Sequence, residues 1–225
     1  MYCVDMTRPR GYKQRTFEIN QRLKEHYPVV ECALVHENPF QLLVATILSA
    51  QCTDKRVNMV TPALFKKFPE VETMANASQT DVEYLIASTG FFRNKAKNII
   101  AMSQKVVTEY GGEIPRDMED LVTLPGTGRK TANVIRHVAF ALPGIAVDTH
   151  VTRLCHRLKI TNEKDPVKIE YDLIDLLDEN EGGDFSLRLI EHGRAICDAK
   201  KPKCEICFLG DICPSYMKVP SKKKS

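Results

Sequence analysis

The stretch Leu124-Pro125-Gly126-Thr127-Gly128-Arg129-Lys130 decides the fold of this chain. Pro125 fixes its own φ, and the two glycines permit a tight reversal of the backbone with positive φ. Because Thr131-Ala132-Asn133-Val134-Ile135 then begins a helix, we expect two helices joined by a hairpin over about 117–141. The first N–H groups of a helix have no internal partner, and the helix dipole favours an anion there. We therefore predict phosphate contacts at Gly126, Thr127, Gly128 and Arg129.

The apolar residues recur with helical spacing along nearly the whole chain, and no segment alternates as a strand does. Asn38-Pro39 supplies an N-cap and a first-turn proline for an apolar helix that runs to Ser49. We predict that Asn94 caps a helix ended by Gly111-Gly112 and that Asp165-Pro166 starts an acidic helix. The sequence therefore predicts an all-α protein.

The length and charge of the chain limit the classes of protein to which it can belong. A chain of 225 residues can form two lobes that each bury a core. Residues 163–191 carry ten acidic and three basic side chains, so the remainder is more basic than the net charge of +3 suggests. This layout favours a polyanion such as nucleic acid, although an ordinary solvated surface is the alternative. No apolar stretch approaches the roughly 20 residues needed to cross a bilayer, and we expect a cytoplasmic protein that does not bind membranes.

Lys130 and Asp148 flank the second helix of the hairpin region. That helix carries the chain about 17 Å away at 1.5 Å per residue, and residues 142–147, if extended, return about 20 Å. We therefore expect Asp148 to lie near Lys130. An amine can attack a sugar anomeric carbon while a carboxylate accepts its proton or stabilises positive charge. The alternatives are that Asp148 only caps its own helix and that Lys130 is a solvated lysine.

Four of the eight cysteines crowd near the end of the chain as C-x6-C-x2-C-x5-C: Cys197, Cys204, Cys207 and Cys213. Four thiolates at such density indicate a metal centre in a reducing compartment. The spacing favours a structural [4Fe-4S] cluster, with zinc or unligated thiols as alternatives, because zinc ribbons usually offer two C-x2-C hooks. Between the first two cysteines, Lys200, Lys201 and Lys203 could contact phosphates or simply lie at the surface.

Together these motifs resemble the endonuclease III family of DNA glycosylases. The hairpin stretch resembles the helix-hairpin-helix, Pro143-Gly144 with Asp148 resembles the loop and aspartate that follow it, and the cysteine spacing matches. The resemblance extends to Leu48-Ser49-Ala50-Gln51 and to Ile145-Ala146-Val147-Asp148-Thr149-His150, and it covers almost the whole chain. Cys52 departs from the alanine common in relatives; we interpret it as a buried structural thiol, and the alternative is an oxidation-sensitive thiol near the DNA.

The resemblance implies a two-lobed fold and a bifunctional glycosylase and abasic-site lyase of base excision repair. It implies a six-helix domain at 32–142, a discontinuous cluster domain at 1–31 and 143–213, and a basic tail at 214–225. The expected partner of this monomer is duplex DNA with an oxidised pyrimidine or an abasic site, in the nucleoid of a prokaryote. Lys130 would be the nucleophile and Asp148 its acid/base partner. The four cysteines would hold the cluster, while Gln51, Phe91 and His150 would contact DNA around a flipped nucleotide.

Other functions share parts of this pattern. A mismatch glycosylase that removes uracil or thymine opposite guanine would use the same scaffold. An adenine glycosylase would lack a lysine at position 130 and carry an extra C-terminal domain. A non-catalytic, redox-sensing iron–sulfur protein could use the hairpin for phosphate contacts alone, but the presence of both Lys130 and Asp148 argues against it.

Overall fold

The computed structural model of the chain describes residues 8–218. Cys3 and the lysines at 222–224 lie outside the described residues. Between residues 8 and 218 the chain is helical and contains no strand, which confirms the predicted all-α class. The helices are α1 (Tyr12–His26), α2 (Pro39–Ser49), α3 (Asp54–Lys67), α4 (Val71–Ala75), α5 (Gln79–Ile86), α6 (Phe92–Tyr110), α7 (Met118–Leu121), α8 (Arg129–Val134), α9 (Thr149–Arg157), α10 (Pro166–Ile174) and α11 (Gly182–Ala195).

Internal contacts divide the chain into two compact units. One unit spans 32–144 and contains α2 to α8; the other contains the described parts of 1–31 and 145–225. Two 3-10 turns, Ala87–Thr89 and Cys204–Ile206, and a π turn, Ile135–Ala139, complete the regular structure. None of the described helices is both long and apolar enough to cross a bilayer.

Helix α2 is the central helix of the 32–144 unit. The Asn38 side chain accepts a hydrogen bond from the Gln41 N–H (2.9 Å) and Pro39 occupies the first turn, as the sequence predicts. Most of α2 is buried, and Leu42, Leu43, Val44 and Leu48 are fully buried among side chains from the neighbouring helices. A helix that is apolar on nearly every side belongs in the middle of a core.

The start of α6 differs from the prediction. Asn94 does not cap this helix, because α6 begins two residues earlier at Phe92 and its N-cap is Phe91, with a left-handed backbone (φ 46°). The Lys95 N–H donates to the Phe91 carbonyl (3.1 Å) and forms the first helical bond. A short polar side chain usually marks a helix start, but here the preceding loop is held by contacts that the local sequence does not reveal. The other end follows the prediction, since Gly111 closes α6 with φ 62°.

The second unit packs α1, α9, α10 and α11 around its own core, with Ile19, Leu23, Leu154, Phe185 and Leu189 fully buried. Asp165 caps α10 by accepting the Val167 and Lys168 N–H groups (3.0 and 3.1 Å). The predicted start of α10 is confirmed.

Candidate functional site

The hairpin before α8 is a tight turn whose backbone at Gly128 is not covered by neighbouring side chains. The Thr127 N–H donates to the Leu124 carbonyl (3.0 Å), and Gly126 adopts φ 80°. Gly128 is the N-cap of α8, and a Cβ added there would meet nothing within 4 Å. The Thr127 side chain is buried instead, and its Oγ1 has no hydrogen-bond partner among the described residues. A phosphate could therefore approach the backbone at Gly128, but not the Thr127 hydroxyl.

Arg129 and Lys130 are the first two residues of α8, and Lys130 is exposed. The sequence predicts a helix that begins at Thr131 and ends at about 141, but α8 begins at Arg129, ends at Val134 and continues as the π turn. Residues 141–148 then have no regular secondary structure. A Cβ added at Gly144 would lie 2.5 Å from the Asn133 carbonyl oxygen, so the chain returns against α8 where only glycine fits.

Asp148 is the N-cap of α9, and its side chain accepts the Val151 N–H (2.8 Å). The predicted capping role is confirmed. Lys130 and Asp148 belong to different compact units, and their pairing stays a prediction.

Three exposed residues of the 32–144 unit have a strained, left-handed backbone: Gln51, Phe91 and Ala141 (φ 52°). Gln51 (φ 53°) and Phe91 (φ 46°) are left-handed residues without the freedom of glycine, and such conformations concentrate at functional sites. Phe91 is 68% exposed, whereas Phe92 packs against the core. Cys52 packs against that core, but it is only half-buried, so the expectation of a buried thiol is wrong. An exposed phenylalanine held in this way is available to contact a ligand.

The predicted DNA contact His150 lies in the first turn of α9, against α11. Its Nδ1 lies 3.1 Å from an Arg153 guanidinium nitrogen, and a Cβ added at Gly193 would come within 2.8 Å of it. Gly193 therefore permits the close approach of α9 and α11 at this point.

The side chains of Cys197, Cys204, Cys207 and Cys213 line one cavity of the second unit. No group of three or more His, Cys, Asp or Glu side chains among residues 8–218 is placed to hold a single metal ion. Four thiolates are a donor set that both a tetrahedral zinc ion and an iron–sulfur cluster accept. Backbone N–H groups of Leu209 and Ser215 interact with two of the sulfurs. The donor set and its surroundings fit an iron–sulfur cluster.

Arg157 organises the segment that carries the first of these cysteines. Its guanidinium donates to the Cys197 carbonyl (3.2 Å) and sulfur (3.2 Å), to the Asp198 carbonyl (2.7 Å) and to the Ala199 carbonyl (2.9 Å). No local motif in the sequence marks Arg157 as functional, because its partners lie some 40 residues further along the chain.

Asp198 folds the lysine loop. Its carboxylate accepts the Lys200 and Lys201 N–H groups (2.8 and 3.0 Å), and these bonds lower the pKa of Asp198. Lys200, Lys201 and Lys203 are all exposed, although the Lys203 ammonium also donates to the Ala195 carbonyl (2.9 Å).

A buried histidine lies beside the cysteines. Burial lowers the pKa of His192 to about 4, so its imidazole is neutral near pH 7. Its Nε2 lies 3.5 Å from the Cys207 sulfur and its Nδ1 lies 3.3 Å from the Tyr27 hydroxyl. The side of the cavity at Cys207 is thus closed by a neutral ring.

This combination of hairpin, following loop and cysteine cavity defines a class of DNA repair protein. The sequence model of the HhH-GPD superfamily of base excision DNA repair proteins matches residues 44–179. A second model, the iron–sulfur binding domain of endonuclease III, matches residues 197–213. The chain is 53% identical to endonuclease III of Synechocystis over 204 residues, which cover 90% of this chain and 93% of that protein.

Solved structures agree with these matches. A non-covalent endonuclease III–DNA complex and a trapped endonuclease III–DNA covalent intermediate each superpose with a TM-score of 0.88 at 40% identity, over 92% of this chain and 97% of the other. The chain belongs to the endonuclease III family. It is a DNA glycosylase and abasic-site lyase of base excision repair, it carries a [4Fe-4S] cluster, and its partner is DNA.

Proposed function

We propose that this enzyme removes oxidised pyrimidines from duplex DNA and nicks the strand at the resulting abasic site, with Lys130 as the nucleophile. The observation that carries the proposal is the position of Lys130: an exposed amine in the first turn of α8, two residues after Gly128, whose backbone is not covered by a side chain. A phosphate bound at Gly128 and Arg129 would fix the DNA backbone next to the reacting amine.

The reaction needs a damaged nucleotide flipped out of the stack, because its C1′ is inaccessible inside the duplex. The Lys130 amine attacks C1′, the bond from C1′ to the base breaks, and the base departs with a proton. Asp148 accepts the proton of the attacking amine or stabilises the positive charge that develops on the sugar. The opened sugar is then bound to Lys130 as a Schiff base. Loss of a C2′ proton expels the 3′ phosphate, and water releases the product from the lysine.

The remaining residues have supporting roles in the proposal. Gln51 fills the gap left by the flipped nucleotide, and Phe91 enters the helix beside it. His150 and the exposed lysines of the cluster segment contact the DNA backbone. Cys197, Cys204, Cys207 and Cys213 hold the cluster, which, when bound, cross-links residues 197–213 through metal–thiolate bonds. We infer a monomer that works on nucleoid DNA in a bacterial cytoplasm, since the matched relative is bacterial.

Substitution of the nucleophile tests the mechanism. We expect Lys130→Ala to abolish nicking of damaged duplex and borohydride trapping, while binding to the same duplex survives. Lys66→Ala removes an exposed lysine from α3 and serves as the control that should retain both activities. Full nicking by Lys130→Ala would refute the mechanism.

A panel of duplexes tests the substrate class: thymine glycol, dihydrouracil, uracil, thymine opposite guanine, and an abasic site. We expect the two oxidised or reduced pyrimidines to be excised fastest, and nicking of the abasic duplex without a glycosylase step. Faster excision of uracil or mismatched thymine would instead support a mismatch glycosylase.

Iron and sulfide analysis of the purified protein checks the cluster, and stoichiometric zinc without iron would contradict it.

A further inference from the structure

A buried lysine joins the two exposed loops of the 32–144 unit that carry Gln51 and Phe91. Lys95 is only 5% exposed, although it is a charged residue in the first turn of α6. Its ammonium donates to the Leu48 carbonyl (2.9 Å) and to the Thr89 carbonyl (2.8 Å). These two carbonyls lie at the ends of the segments that lead into Gln51 and Phe91.

The two carbonyls are ones that helix geometry leaves without partners. Leu48 lies in the last turn of α2, where the Cys52 N–H donates to Ser49 (3.0 Å) rather than to Leu48. Thr89 ends the 3-10 turn that follows α5. Carbonyls at helix ends carry partial negative charge, so one ammonium satisfies two helix ends together.

The burial of this charge is expensive, because an ammonium loses its hydration on entering the core. Burial lowers the pKa of Lys95, and the nearby Cys52 acts in the opposite direction. A methionine or leucine would fill the same space without that penalty. The position therefore requires the hydrogen bonds rather than the volume.

We infer that Lys95 is a positioning residue that fixes the Gln51 loop and the Phe91 loop relative to each other, so that both enter the DNA as one wedge. This inference rests on the wedge roles given to Gln51 and Phe91 in the proposed function. Both residues are exposed and left-handed, and a strained loop keeps its conformation only where its surroundings hold it. Because Lys95 is buried, we infer that it acts through the two carbonyls rather than by contact with DNA.

The test compares an abasic site in duplex DNA with the same site in a single strand, where no nucleotide has to be extruded. We expect Lys95→Met to slow single-turnover nicking of the duplex at least tenfold and nicking of the single strand less than twofold. The fluorescence rise of 2-aminopurine opposite the abasic site should fall in parallel in the duplex. Lys97→Met removes an exposed lysine of the same helix, and it should stay within twofold of the unmodified enzyme on both substrates.

Each other outcome overturns the inference. An equal loss on both substrates would mean that Lys95 only supports the fold. An equal loss on the duplex in Lys95→Met and Lys97→Met would mean that charge near the DNA is what matters. If the unmodified enzyme nicks neither substrate, the proposed function itself fails, which is a separate result.

A second measurement does not require Lys95→Met to fold. Gln51→Ala, Phe91→Ala and the double variant are compared by nicking of the abasic duplex. If the two loops act as one wedge, their effects on the nicking rate are not additive. The nicking rate of the double variant should therefore be within threefold of the rate of the slower single variant. A loss equal to the product of the two single losses would show independent loops and overturn the inference.

Discussion

Asp148→Asn and Asp148→Ala separate the capping role of this residue from its proposed role in catalysis. The side chain accepts the Val151 N–H (2.8 Å) at the start of α9. An asparagine oxygen accepts the same bond, whereas alanine loses a cap worth about 1 kcal/mol. For a protein of this size, that loss corresponds to a fall in melting temperature of about 2–4 °C. We therefore expect Asp148→Ala to melt lower and Asp148→Asn to melt as the unmodified protein does.

Both substitutions remove the carboxylate. A positioned acid/base group contributes about 10²–10⁴-fold to a rate, and a 100-fold loss corresponds to about 2.7 kcal/mol of transition-state stabilisation. Single-turnover excision of thymine glycol, with enzyme in excess, should therefore slow by about 100-fold or more in both variants. Base excision and thermal melting thus respond differently to the same pair of substitutions.

Asp165 offers a matched control in the same unit. It caps α10 through the Val167 and Lys168 N–H groups (3.0 and 3.1 Å). Asp165→Ala should lower the melting temperature as Asp148→Ala does and leave excision unchanged. If Asp148→Asn excises thymine glycol at the unmodified rate, or if Asp165→Ala loses as much activity as Asp148→Ala, the catalytic role of Asp148 is refuted.

Three further predictions concern the cluster segment, the loop after α8 and the hairpin. Arg157→Met removes the donors to Cys197, Asp198 and Ala199. Because charge-assisted bonds of this kind contribute about 1.5–3 kcal/mol each, the rate of iron loss to a chelator should rise at least tenfold. Arg56→Met is the control, and an unchanged rate of iron loss in Arg157→Met would contradict the prediction. Gly144→Ala places a methyl group 2.5 Å from the Asn133 carbonyl oxygen, and overpacking by about 1–3 kcal/mol should lower the melting temperature by about 5 °C. The methyl group added by Gly128→Ala meets no neighbour within 4 Å, so the melting temperature should not change. The affinity for duplex DNA should fall, because a bound phosphate would occupy the same space. An unchanged affinity would exclude the phosphate contact.

Local chemistry allowed several elements to be predicted from the sequence. Asn38-Pro39, Asp148 and Asp165-Pro166 each begin a helix where expected, because a cap acts on N–H groups two or three residues away. Gly111 ends α6 as predicted, since positive φ suits glycine. The prediction failed at Asn94, where a plausible cap is overridden by the left-handed Phe91, and α4 was not foreseen because five residues are too few to show a helical period.

The sequence by itself determined the helical class, the hairpin that presents Lys130, and the group of cysteines, because each depends on residues a few positions apart. Only the tertiary structure decided which polar groups are buried and what they hold. Lys95 reads as an ordinary helix lysine in the sequence, yet its ammonium binds a carbonyl 47 residues earlier. Arg157 reads as a helix-terminal charge, yet it holds the segment after Cys197. The physical reason is that a hydrogen bond across the fold leaves no periodicity in the chain, and its partners become neighbours only when the core closes around them.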